Sequence, residues 1–140
     1  MDRKIALFVL FVLFFSVTGL GAAESDKIAA AVAESRSWLA TNDRADYDDS
    51  WRAAATLLRE AVPLAQWIHS MEAVRAPLGG VISRKLIDAV YRTTLPGAPD
   101  GAYVVIQYAT EFENKKSAVE TVTPMLDKDG QWRVSGYFIK

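Results

Sequence analysis

The chain changes its grammar once, at Gly79–Gly80, and that change limits the folds open to it. Before the glycine pair, apolar side chains recur every three or four residues, as on the buried stripe of a helix. After it, β-branched and aromatic residues dominate and the helical period is gone. Helices gathered on the amino-terminal side and strands on the carboxy-terminal side predict an α+β domain with an antiparallel meander.

The period predicts three helices. Ile28, Ala31, Val32, Ser35 and Leu39 mark the first, over Lys27–Ala40, with Asp26 placed to cap it. Tyr47, Trp51, Ala54, Leu58 and Val62 mark the second. Asp46, Asp48 and Asp49 gather at its start, where negative charge suits the helix dipole and side chains can cap free amides. Pro63 fits the first turn of a third helix with the stripe Leu64, Trp67, Ile68, Met71 and Val74, ending near Ala76–Pro77. Strands are predicted at Val81–Ser83, Leu86–Thr94, Ala102–Phe112, Ser117–Leu126 and Gln131–Ile139. Leu95–Gly101 reads as an exposed connection and Asp127–Gly130 as a tight turn. The expected architecture is three helices packed on a curved antiparallel sheet of about four long strands, by analogy a cystatin-like or nuclear transport factor 2-like cone.

The amino terminus carries an address. A charged start, Met1–Lys4, an apolar run, Ile5–Phe15, and small residues up to Ala23 predict a signal peptide cut after Ala23. The run is shorter than the roughly 20 residues that cross a bilayer core. This predicts a signal over 1–23 and one globular domain over 24–140, exported to the periplasm or the extracellular space and not membrane-bound after cleavage. With no cysteine, disulfides, thiolate chemistry and a cysteine-linked lipid are excluded. Sixteen basic against 17 acidic residues give no electrostatic case for nucleic acid or an anionic membrane as partner.

Few residues point to chemistry. His69, the only histidine, falls on the polar side of the third predicted helix and is expected to face water. One histidine without cysteine does not supply a usual transition-metal set, so no metal and no cofactor are predicted. Asp127, Asp129 and Gly130 look like a fragment of a calcium loop, but the position of its closing glutamate falls on Gly136. No serine sits in a nucleophile elbow, and no glycine-rich phosphate loop joins a strand to a helix.

The strands offer a different signal. If the helices cover Val104, Ile106, Tyr108 and Phe112, the opposite face keeps Tyr103, Val105, Gln107, Ala109 and Glu111. Simple alternation in the last strand sets Trp132, Val134 and Phe138 against Arg133, Ser135, Tyr137 and Ile139. The first functional expectation is therefore a noncatalytic module that binds a protein partner or a second copy through its sheet. A rival is a pocket between helices and sheet, with Tyr91, Gln107, Glu120 and Tyr137 aimed at a small molecule. Arg133 joins these as a candidate binding residue, or else simply pairs with Glu120 across neighbouring strands. A third class is a hydrolase-like or isomerase-like enzyme using Asp88 or Glu120 as a buried carboxylate. No catalytic residue is assigned.

A longer set of residues is distinctive as an ordered group. It runs through Asp46, Tyr47, Ser50, Trp51, Gln66 and Trp67, then Arg75–Gly79, Ser83 and Arg84. It continues with Leu95–Gly101, Tyr103, Phe112, Asn114 and Lys115, then Ala118–Val122, Trp132, Val134, Gly136 and Tyr137. Together these resemble the bacterial exported family known as domain of unknown function 4019, over nearly all of residues 24–140. The resemblance implies an exported single-domain protein and brings no activity, cofactor or catalytic residue with it. Pro63 stands where that family commonly has a helix-capping serine; proline also starts helices, so no change of fold is expected.

Overall fold

Helices precede strands in the computed structural model, which describes residues 19–140. The order is α1 (Gly19–Asp43), α2 (Tyr47–Arg52), α3 (Thr56–Ala61), α4 (Leu64–Arg75) and a 3-10 turn (Ala76–Leu78). The strands β1 (Val81–Arg92), β2 (Tyr103–Phe112), β3 (Lys115–Leu126) and β4 (Trp132–Ile139) follow. They form one antiparallel sheet in chain order. Most of the predicted signal, residues 1–18, lies outside the described residues. No helix among the described residues is long and apolar enough to cross a membrane.

Four helices stand where the period predicts three, because the second predicted helix is broken at Ala53–Ala55. Its stripe continues in register, but the Ala55 N–H donates to Val134 O of β4 at 2.8 Å instead of closing a helical turn. Ala54 and Ala55 have no exposed surface, and only side chains this small let the helix layer bring its backbone against a strand. α3 is then capped from a distance: Asp127, in the β3–β4 turn, accepts from Thr56 N (3.0 Å) and Thr56 Oγ1 (3.1 Å). Two local caps expected from the sequence are absent. Asp26 lies inside α1, which starts at Gly19, and Asp46 makes no side-chain cap but pairs with Arg44. Pro63 precedes α4 and its carbonyl accepts from Trp67 N, as its place at a helix start requires.

The predicted short strand at Val81–Ser83 and the longer one after it are a single strand, β1, interrupted by two bulges. Its register against β2 skips Ile82 and Ile87, each an extra residue that breaks the alternation visible in sequence. The register of β2 against β3 shifts once, between Thr110 and Phe112, and a further bulge, at Ser135, faces Thr123 and Pro124, where the proline has no N–H to give to a ladder. It reverses the assignment of faces in β4. Gly136 pairs with Thr123 and Val134 with Pro124, so Tyr137 and Ile139 join Val134 and Trp132 on the helix side. Phe138, expected with Val134, is sent to the opposite face.

The core lies between α1 and the sheet, around Trp38, Leu39, Trp67, Met71, Val104, Ile106, Tyr108, Val122 and Val134. Trp38 meets Trp67 at a centroid distance of 5.9 Å and Tyr137, edge to face, at 5.3 Å. The indole N–H of Trp38 donates to Ser50 O (2.9 Å), and that of Trp67 to Ser50 Oγ (3.0 Å). Tyr108 carries a polar atom into the same layer, where its hydroxyl lies 2.6 Å from Ser35 Oγ. Tyr108→Phe is expected to lower the unfolding free energy by about 1 kcal/mol, measured by urea denaturation, with the slope unchanged.

Candidate functional site

Glu120 is the only charged side chain of the sheet with no exposed surface. It lies on the helix side of β3 between Ala118 and Val122, the apolar neighbours that alternation gives it on that face. Its carboxylate accepts four hydrogen bonds: Arg84 Nε at 2.7 Å and Thr110 Oγ1 at 2.5 Å on Oε1, Arg84 Nη2 at 3.2 Å and the Tyr137 hydroxyl on Oε2. The strands set this up. Thr110 is the residue of β2 opposite Arg84 on β1, and the Ser135 bulge turns Tyr137 inward.

From Arg84 the network reaches the helix layer. Arg84 Nη1 and Nη2 donate to Asp43 at the end of α1, at 2.8 and 3.0 Å. Arg75 of α4 donates to the same carboxylate at 2.8 Å and lies over the Phe112 ring, 5.2 Å from its centroid. Two guanidiniums and two carboxylates thus balance within one chain of contacts.

Asp43, the two arginines and Tyr137 each respond to this arrangement. Burial pushes the Asp43 carboxyl up, but the bonds from Arg84 and Arg75 outweigh it and hold it below its ordinary value. Burial likewise acts against the Arg84 and Arg75 cations, and their carboxylate partners more than offset it. Burial, with Glu120 beside it, raises the Tyr137 phenol far above its usual range, so it stays a donor. With both of its oxygens occupied, Glu120 has no free position from which to take a proton from a substrate.

The five candidate residues do not form one site. Glu120 and Tyr137 meet in the network. Tyr91 is on the helix side of β1 with the Lys27 ammonium 5.1 Å from its ring centroid. Gln107 is on the opposite face, between Asp88 and Thr121 on the flanking strands. Arg133 is on that face too, held by Asp129 in two bonds of 2.7 Å and by Asp127 at 3.4 Å. The Glu120–Arg133 pair suggested by the sequence does not form. The two side chains point to opposite faces, and Glu120 stands opposite Ile139. Asp88 is exposed, and so is His69.

Asp43, Arg75 and Arg84 escaped the sequence reading as a site, although both arginines stand among the family-like residues. The one available signal was a glutamate at a helix-facing position, which requires a cation from elsewhere.

Beside the network lies an open cleft of about 320 Å³ lined by Asn42, Asp43, Tyr47, Glu72, Arg75 and Gly79 among others. Two of these residues keep buried polar atoms without a partner among the described residues: Asn42 Oδ1, and Arg75 Nε and Nη1. No group of three potential metal ligands occurs among the described residues.

The family model described as protein of unknown function (DUF4019) matches residues 34–137. The chain belongs to this family. The match takes in every member of the buried network, from Asp43 to Tyr137, as well as the Ser135 bulge. No curated protein and no solved structure gives a match to this DUF4019 chain.

Asp43, Asp127 and Asp129 all sit below the ordinary carboxylate value when folded, Asp129 at about 2. Their stabilisation is present above the unfolded value near about 4 and is lost as pH falls through the folded values. Glu34, raised chiefly by burial, works in the opposite sense, one group against three. The urea midpoint is therefore expected to fall between neutral pH and about pH 3, and Asp43→Asn to lower it at neutral pH and flatten the dependence. A midpoint that is constant or rises on acidification would contradict this.

Proposed function

We propose that this protein is an exported, noncatalytic binding module that engages a protein partner through the open face of its sheet. The signal-like segment up to Ala23 supports export to the periplasm or the extracellular space. Helices packed against a four-stranded antiparallel sheet with register shifts support the finer assignment to a curved, cystatin-like or nuclear transport factor 2-like cone.

The observation that carries the binding role is the division of the sheet into two unlike faces. α1 packs against all four strands on the helix side, and on the other side Tyr103 is buried, with its hydroxyl donating to Pro99 O. That open face has Val90, Val105 and Thr123 in one row across β1, β2 and β3, with Phe138, 52% exposed, in the next row opposite Thr121. Lys85, Asp88, Arg92 and Arg133 surround the row. An apolar centre with a charged rim is the anatomy of a protein-binding patch. Against catalysis, Glu120 is saturated by its own partners and Asp88 is on the surface.

A second reading rests on the cleft beside Arg75. Its unpaired buried donors and acceptor favour a small neutral ligand rich in hydroxyl or amide groups.

Crosslinking in intact cells separates the two. A partner captured by the native protein is expected to be lost in Val105→Glu, with the urea midpoint unchanged; equal capture by both proteins would refute the open-face reading. Nuclear magnetic resonance titration with simple monosaccharides probes the cleft: shifts confined to Asn42 and Arg75 would favour the second reading.

A further inference from the structure

The two edges of the sheet are treated differently. At β4, Val134 O is taken by Ala55, and α3 is tied to the adjacent turn through Asp127. At β1, no backbone bond among the described residues reaches the outer edge between Val81 and Arg92. That edge is long and apolar at its centre, with Leu86 41%, Ile87 55% and Ile82 59% exposed. Such an edge is a template for another strand.

We propose that β1 pairs antiparallel with β1 of a second copy, across a two-fold axis between Leu86 and Ile87, to join two four-stranded sheets into one. The bulge at Ile87 makes this register self-consistent. Ser83, Lys85, Asp88 and Val90 lie on the open face, and Arg84 and Ala89 on the helix side. About an axis between residues 86 and 87, Lys85 of one copy stands opposite Asp88 of the other, Ser83 opposite Val90, and Arg84 opposite Ala89. Every pair keeps its face, which antiparallel pairing demands. Without the extra residue these positions would fall out of phase.

Charge and symmetry favour a second copy over another protein. The symmetry places Lys85 opposite Asp88 twice, on exposed side chains that form no ion pair within their own chain among the described residues. Leu86 and Ile87 meet their counterparts at the axis. Because Val134 O is already taken and α3 packs beside β4, head-to-tail growth from β1 to β4 meets an obstructed edge, and pairing closes at two copies. This contact uses the edge of the sheet and leaves the open face free, so it stands whether or not that face binds a partner.

The test is light scattering and sedimentation of the protein expressed as the full chain and purified in its exported form, across micromolar concentrations. The native protein is expected at twice the protomer mass. Asp88→Lys places lysines opposite one another and is expected to weaken the dimer about tenfold or more. The swap Lys85→Asp with Asp88→Lys is expected to restore it. Both positions are exposed, so circular dichroism should stay native throughout. Hydrogen exchange should show β1 amides gaining protection with concentration while β4 amides do not. A monomer at all concentrations, a dimer indifferent to Asp88→Lys, or a swap that fails to restore pairing overturns the proposal. So does a dimer broken only by Val105→Glu, which would instead place the contact on the open face.

Discussion

Glu120 has been taken wholly out of water in the middle of the sheet, and much of the surrounding structure is arranged so that its charge can remain there. An isolated carboxylate in such surroundings would cost several kcal/mol. Arg84 meets it in a two-bond contact, Thr110 and Tyr137 fill the remaining positions, and Asp43 compensates the arginine in turn. Since Asp43 ends α1 and Arg75 ends α4, satisfying one buried charge on β3 fixes where both helices finish relative to β1. Apolar packing between α1 and the sheet tolerates small slides; a chain of directed charge-assisted bonds does not.

Bulges do the complementary work on the sheet. Without the one at Ser135, Tyr137 would face solvent and Glu120 would lose a donor. The two in β1 leave an isoleucine out of the ladder each time, Ile82 near the start and Ile87 in the middle, and so bend the strand that forms the free edge. Gly79, at φ +73°, and Gly80 anchor the entry to β1: a Cβ on Gly80 would stand 2.5 Å from Glu113 Oε1, which accepts the Gly80 N–H. The β2–β3 turn therefore closes directly on the glycine pair at which the sequence changes character.

How much of this was legible depends on the range of the forces involved. The division into helices and strands was readable because burial on one stripe imposes a local period. The break at Ala53–Ala55 was not, because Tyr47, Trp51, Ala54 and Leu58 hold the helical period across it while its cause, Val134 O, lies far along the chain. Glu120 was singled out as a polar strand residue but its partners were not, since Arg84 and Asp43 precede it by 36 and 77 residues. Alternation misplaced Tyr137, Phe138 and Ile139 for a definite reason: counting by twos fails after a bulge, and a bulge leaves little trace beyond Pro124 and Gly136. The candidate site inherited both errors, so that Gln107 and Arg133 belong to a different face from Glu120 and Tyr137.

The binding role assigned to the open face and the edge assumes a rigid sheet, and that rigidity is traced to the buried network. A double-mutant cycle between Arg84→Met and Glu120→Leu, followed by urea denaturation, measures it most directly. The expected result is that each single change costs about 3–5 kcal/mol while the double change costs much less than their sum, a coupling of about 2 kcal/mol or more. Costs that add to within about 0.5 kcal/mol would mean that the two residues do not act together, and would contradict the network as the organising feature of the fold.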